Sequence, residues 1–207
     1  MFIVDKAPAS INQALPVPKV IFFDIDDTLS RNGIIATHNQ ATLEALAKTD
    51  IKLVISTGRS KAILPADILA LLEADVLDAI ICMNGQYSFD NKGLISHYPL
   101  SAEQADKIVQ LCQTSQLIHK FDSATHIAWS DENERLRDFN AKTPNSIVDP
   151  LYYQSNPVYQ CSVFFNNQFD KMQDIDFAQD DLKLVHWHHI GADILPANAS
   201  KARGIKD

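Results

Sequence analysis

The stretch that most constrains this chain runs from Lys19 to Leu29 and reads Lys-Val-Ile-Phe-Phe-Asp-Ile-Asp-Asp-Thr-Leu. Val20 to Phe23 are continuously apolar, the pattern of a short strand buried on both faces, as in a parallel sheet covered by helices. Where that run stops, Asp24 and Asp26 stand two residues apart. Strand alternation sends positions i and i+2 to the same side, so both acids are expected to point into one place at the carboxyl end of the strand. In open α/β sheets, ligands bind at that end. A strand running into an Asx turn is the plainer explanation of clustered aspartates. The whole string, with its apolar run before the acids and Thr28-Leu29 after them, favours a ligand site.

The next segments extend the same architecture. Ser30 to Ala36 reads as a loop with a turn at Asn32-Gly33, and Thr37-x-x-Gln40 is a capping-box pattern opening a helix through Leu43, Leu46 and Ala47. Ile51 to Ile55 is a second apolar strand, so the chain spells a right-handed parallel crossover ending at Ser56-Thr57. In Ser56-Thr57-Gly58-Arg59, a hydroxyl can donate to a phosphoryl oxygen, Gly58 allows close backbone approach, and Arg59 can clamp an anion. A helix cap followed by a surface arginine is the alternative, and for Arg59 both readings stay open. A second helix is expected from Ser60 through Leu72, with Pro65 disturbing its first turn. Asp78 to Met83 reads as a third buried strand ending in Asn84-Gly85. A plain turn is the commoner use of such a pair.

From Gln86 the texture changes. Gln86 to Phe89 and Leu94 to Tyr98 flank Asp90-Asn91-Lys92-Gly93, a hairpin signal, and Ser101-x-x-Gln104 caps a helix. Strands are expected at Leu117 to Phe121, His126 to Trp129, Val158 to Phe165, Leu182 to Trp187 and Ile190 to Leu195, with a helix over Glu132 to Asn140. Such interleaving suits a small α+β domain inserted into an α/β core, giving a core of residues 1–85 and 191–207 and an insert of 86–190. His186, His188 and His189 lack a carboxylate or Cys at ligand spacing and are read as strand histidines rather than a metal site. Trp129, Tyr152, Tyr153 and Phe169 have no interleaved basic residues and are assigned to the insert's core or surface rather than to base stacking.

Composition removes other classes. A formal charge of -8 argues against a nucleic-acid backbone as partner. Cys82, Cys112 and Cys161 fit neither a disulfide framework nor a zinc motif, so buried reduced thiols are expected. No run approaches the roughly 18 apolar residues of a membrane span, and Met1 to Val4 is too short for a signal peptide. A cytoplasmic protein without nucleic-acid or membrane partners is expected; oligomeric state is not legible.

Asp24-Ile25-Asp26-Asp27-Thr28-Leu29 after a buried strand resembles the first motif of the haloacid dehalogenase (HAD) phosphatase superfamily. Ser56 to Arg59 resembles its second motif. Ile80 to Gly85 resembles the exit to the cap in the Cof-type group, and Ala192 to Ile205, with Ser200-Lys201-x-x-Gly204, resembles the return to the core. The resemblance implies a HAD-like α/β core with an inserted α+β cap. It makes Asp24 a nucleophile that becomes an acyl phosphate and Asp26 the acid/base. It assigns Thr57 and Lys201, with Arg59 and Asn84 as further candidates, to the substrate phosphate. It also implies Mg2+ held by Asp24 and the backbone carbonyl of Asp26. The expected substrate is a small phosphomonoester, such as a sugar phosphate. A phosphomutase and a non-catalytic phosphate-binding or scaffold protein are the alternatives. One departure stands out: no residue matches the family's fourth, acidic motif, whose strand would lie beside Val20 to Phe23. A truncated chain with an uncovered first strand and little turnover is therefore expected.

Overall fold

The computed structural model describes residues 16–31, 34–132, 143, 145–165, 172 and 175–206. Its first sheet has the order β1-β4-β5-β6-β7. β1 (Val20–Phe23), β4 (Lys52–Ser56) and β5 (Ala79–Cys82) run parallel, β4 and β5 largely buried, and β6 (Tyr87–Asp90) and β7 (Gly93–His97) add an antiparallel hairpin. A two-stranded ribbon, β2 (Ser30–Arg31) and β3 (Ile34–Ile35), leads into α1 (Thr37–Leu46). α2 (Ala66–Glu73) connects β4 to β5 and buries Ile68, Leu71 and Leu72 against Leu53, Ile55 and Ile80.

Local expectations were met in part. The capping box expected at Thr37 is absent: β3 carries extended backbone up to Ile35, so the helix starts at Thr37 with Ala36 as its cap and no side-chain bond. Asn39 instead ties the helix to the first loop by donating to Leu29 O at 3.0 Å. Pro65 does more than disturb a turn. It divides the expected helix into a 3-10 turn, Lys61–Ile63, and α2, for which it is the N-cap. β1 is not buried on both faces; it is an edge strand with no second partner among the described residues, and Val20 and Phe22 are each 38% exposed.

The second sheet has the order β10-β9-β8-β11-β13-β12. It comprises β8 (Ile118–Asp122), β9 (Ile127–Trp129), β10 (Ser146–Val148), β11 (Gln160–Phe164), β12 (Leu182–His188) and β13 (Gly191–Pro196). α3 (Ala102–Thr114) begins with the expected capping box at Ser101 and Gln104 and covers one face. Its Ala105, Ile108 and Cys112 pack with Phe121, Cys161, Val163 and Ile194. Sheet membership shifts the division anticipated at 86–190. β6 and β7 extend the first sheet because the turn at Met83–Gly85 folds the hairpin back on β5, while β13 pairs with β11 and β12 in the second. Trp129 and Tyr152 are buried in this layer; Phe169 and all but the first residue of the helix expected over 132–140 lie outside the described residues. No helix among the described residues is long and apolar enough to cross a membrane.

The chain returns to the first sheet through α4 (Lys201–Ile205), whose N-cap Ser200 accepts from Arg203 N. Its seat is a run of left-handed residues, Met83 at φ 49, Asn84 at φ 55 and Gly85 at φ 87. At Gly85 a side chain is excluded twice over, by its φ and because a Cβ would come within 2.0 Å of Ser200 O. Gly204 is also close-packed, a Cβ there falling 2.6 Å from Ile81 Cγ2. Gly85→Ala is expected to destabilise the fold by roughly 2–4 kcal/mol, because it combines backbone strain with a backbone collision. Urea unfolding checks this, and a change below about 0.5 kcal/mol would contradict the close seating of α4.

Candidate active site

The site is built around a tight turn after β1. Ile25 is fully buried and its carbonyl accepts the N–H groups of Thr28, Leu29 and Ser30 at 3.3, 3.1 and 2.9 Å. Asp27 sits at φ 56, a left-handed conformation that Asp tolerates. With Ile25 directed into the core, its neighbours Asp24 and Asp26 both line a cavity of about 710 Å³. A turn, rather than the strand alternation expected from the sequence, brings the two acids together, since β1 ends at Phe23.

Each acid meets a cation delivered from elsewhere in the chain. Lys201 Nζ donates to Asp24 Oδ1 at 2.6 Å. Arg59 holds Asp26 through both oxygens, Nε to Oδ2 at 2.9 Å and Nη2 to Oδ1 at 2.7 Å. This fork geometry suits a guanidinium on a carboxylate. The hydrogen bond from Arg59 keeps the Asp26 carboxyl below its ordinary pKa, against partial burial, and the same pairing raises the pKa of Arg59.

The loops after β4 and β5 are laced together, with Asn84 N donating to Thr57 O at 3.1 Å and Met83 N to Arg59 O at 2.9 Å. This lacing brings Asn84 to the cavity wall, close enough to Gly58 that a Cβ there would lie 3.3 Å from Asn84 Oδ1. Thr57 differs from the other candidates. It is buried beneath the cavity rather than lining it, and its Oγ1 accepts from Arg59 N at 3.1 Å. Thus Asp24, Asp26, Arg59, Asn84 and Lys201 share one cavity, with Thr57 supporting the loop that carries Arg59.

Sequence reading missed the opposite wall. Register places Asp122 opposite Gln160, Lys120 opposite Ser162, and Ser162 opposite Asp193. These positions alternate with the apolar ones that meet α3, so the second sheet turns a polar face toward the acids. Lys120 and Asp122 are 5% and 1% exposed and bonded at 2.5 Å, and Gln160 Nε2 donates to Asp122 Oδ2 at 2.6 Å and to Gly58 O at 3.3 Å. With Ser60 Oγ donating to Ser123 O at 2.8 Å, this bond docks the sheet on the loop after β4. Ser162 and Trp187 both donate to Asp193 Oδ1, at 2.7 and 3.0 Å, while burial raises the pKa of that carboxyl. A detectable signal was present: polar residues at alternate positions in strands whose other face is apolar.

The donor set can be tested for a cation. Asp24 and Asp26 supply hard carboxylate oxygens, 39% and 55% exposed as side chains, to an open cavity. Among the described residues no group of three or more His, Cys, Asp or Glu could hold a metal ion. Two exposed carboxylates on one turn suit a hard divalent ion that takes one or two carboxylates and completes its shell with water and phosphate oxygens.

Residues 21–207 match the haloacid dehalogenase-like hydrolase family profile. The chain is 26% identical over 192 residues to "Putative phosphatase YkrA" of Bacillus subtilis (strain 168), covering 91% of this chain and 72% of that protein. It also matches a "Putative bifunctional phosphatase/peptidyl-prolyl cis-trans isomerase" of Streptococcus pyogenes serotype M6 at 26% identity, spanning 40% of that protein. The crystallised HAD subclass IIB sugar phosphatase BT4131 shares the fold, with a TM-score of 0.74 at 24% identity over 91% of this chain and 74% of that one. The chain belongs to the haloacid dehalogenase-like hydrolases.

Proposed function

We propose that this protein is a Mg2+-dependent phosphatase that hydrolyses small phosphomonoesters through an aspartyl phosphate on Asp24. One observation carries the reading: two carboxylates on one turn, each paired with its own cation, open into a cavity roofed by a polar sheet face. Before substrate arrives, Lys201 and Arg59 neutralise the acids. A phosphomonoester dianion competes for both cations, which frees the carboxylates as it binds.

The chemistry then divides into two displacements. An Asp24 oxygen bonds to phosphorus as the bond from phosphorus to the leaving oxygen breaks, and protonated Asp26 gives its proton to that oxygen. Asp26, now a carboxylate, takes a proton from water as the water oxygen bonds to phosphorus and the Asp24 bond breaks. Inorganic phosphate is released, leaving Asp24 a carboxylate and Asp26 protonated; Asp26 takes that proton from solvent when Arg59 leaves it and returns it when the fork re-forms. Asp26 can act as an acid only when Arg59 has left it, since the fork holds it ionised. Mg2+, held by Asp24 and the backbone carbonyl of Asp26, would balance charge on the phosphoryl oxygens. Thr57 keeps the Arg59 loop in place, and Asn84 adds an amide to the phosphate end.

The full-length gene product is expected to release phosphate from p-nitrophenyl phosphate in Mg2+ and to lose this activity in EDTA. Asp24→Asn should lower turnover by about 10³-fold or more, as expected when a covalent nucleophile is removed. Activity retained in that variant would contradict the mechanism, and formation of a sugar bisphosphate in place of free phosphate would mark a mutase. Arg59→Ala should raise KM for a phosphomonoester by about 10- to 100-fold, the scale of a lost charge-assisted contact. An unchanged KM in steady-state assays would remove Arg59 from phosphate binding.

A further inference from the structure

The roof of the cavity carries an aromatic feature that the phosphoryl chemistry does not use. β12 and β13 pair His186 with Ala192 and His188 with Gly191, so Trp187 is the extra residue of a β-bulge. Bulges re-aim a side chain, and this one turns the indole of Trp187 over Gly191. A Cβ on Gly191 would lie 2.5 Å from Trp187 Cζ2, so the ring occupies space that only glycine leaves open. The indole N–H is fixed on Asp193 Oδ1 at 3.0 Å, and Phe164 meets the ring at 6.0 Å with an interplanar angle of 72°. Despite three restraints, Trp187 remains 48% exposed and lines the cavity. A large aromatic held rigid and left half open is preorganised to bind, because the entropy cost of ordering it has already been met within the fold.

The surroundings define what it could bind. Ile63, Phe164, Val185 and Ile190 continue the apolar wall beside it. At its edge stands Asp193, whose Oδ2 takes no hydrogen bond among the described residues, next to Ser162. The charges at this end do not favour an anion. Lys120 is consumed by Asp122, and Asp193 has no salt bridge among the described residues. A flat apolar face with a carboxylate acceptor at its rim suits a ring that offers C–H or π surface on one side and an O–H or N–H donor at its edge.

We propose that Trp187, pinned by Gly191 and Asp193, is the platform for the leaving group, selecting phosphomonoesters of uncharged ring-bearing alcohols over acyclic or doubly anionic ones. Asp193 accepts the donor at the edge of that ring. This specificity rests on the phosphatase reading of the same cavity, but it is tested by binding as well as by turnover.

Binding to the full-length Asp24→Asn protein in Mg2+ by calorimetry compares glucose 6-phosphate with sn-glycerol 3-phosphate and 3-phosphoglycerate. The ring ester is expected to bind about five- to tenfold more tightly, the scale of one aromatic contact, and Trp187→Ala should erase that difference. Trp187→Phe should retain part of it. Gly191→Ala, which displaces the indole without removing it, should reproduce the loss. Equal binding of the three esters, no binding of any, or a preference that survives Trp187→Ala would each overturn the proposal. Ring preference without hydrolysis by the wild-type protein would uphold the platform and overturn the phosphatase reading.

Discussion

Two carboxylates can face one small cavity only if their mutual repulsion is offset, and here each has a cation of its own. Those cations come from distant parts of the chain, Arg59 from the loop after β4 and Lys201 from the first residue of α4. The rest of the fold serves to deliver them. Gly58 lets Asn84 close on the Arg59 loop, and Gly85 lets Ser200, and with it Lys201, approach within van der Waals contact. A phosphomonoester brings the same charge as the acids it displaces, so the resting ion pairs form a template for substrate.

The second sheet solves a different problem with the same economy of residues. One face is apolar and closes on α3, while the other carries Lys120, Asp122, Gln160, Ser162 and Asp193 to the cavity. Burying a Lys–Asp pair costs desolvation that an apolar pair would avoid. Its place over the acids is understandable if the roof has to meet a polar leaving group. Bonds from Gln160 to Gly58 and from Ser60 to Ser123 hold roof and floor in register. Apolar contact of Ala62 and Ile63 with Trp129 and Phe164 seals the side of the cavity.

The floor of the site was readable from sequence and the roof was not. Asp24 to Leu29, Thr57 to Arg59 and Ser200 to Gly204 are short strings whose chemistry depends on neighbours in the chain. Lys120, Ser162 and Asp193 become a group only through antiparallel register, which pairs strands far apart in sequence. Trp187 was passed over as a member of a histidine-rich strand, because the bulge that aims it is a property of pairing rather than of composition. The hairpin of β6 and β7 was assigned to the insert for a related reason. Its turn chemistry was correct, but the left-handed backbone at Met83 to Gly85, which folds it onto β5, is a tertiary requirement. Thr37 failed as a cap because two residues of strand pairing before it overrode a local preference.

The central claim is that the Asp24 carboxylate exchanges its bond to Lys201 for a phosphoryl group. A crystal structure of the full-length protein grown with Mg2+ and beryllium fluoride tests it most directly. Beryllium bonded to an Asp24 oxygen, with Lys201 Nζ moved onto a fluoride and Arg59 released from Asp26, is the predicted result. Beryllium fluoride bound at another residue, or an intact Lys201–Asp24 pair with nothing attached to Asp24 at saturating reagent, would contradict it.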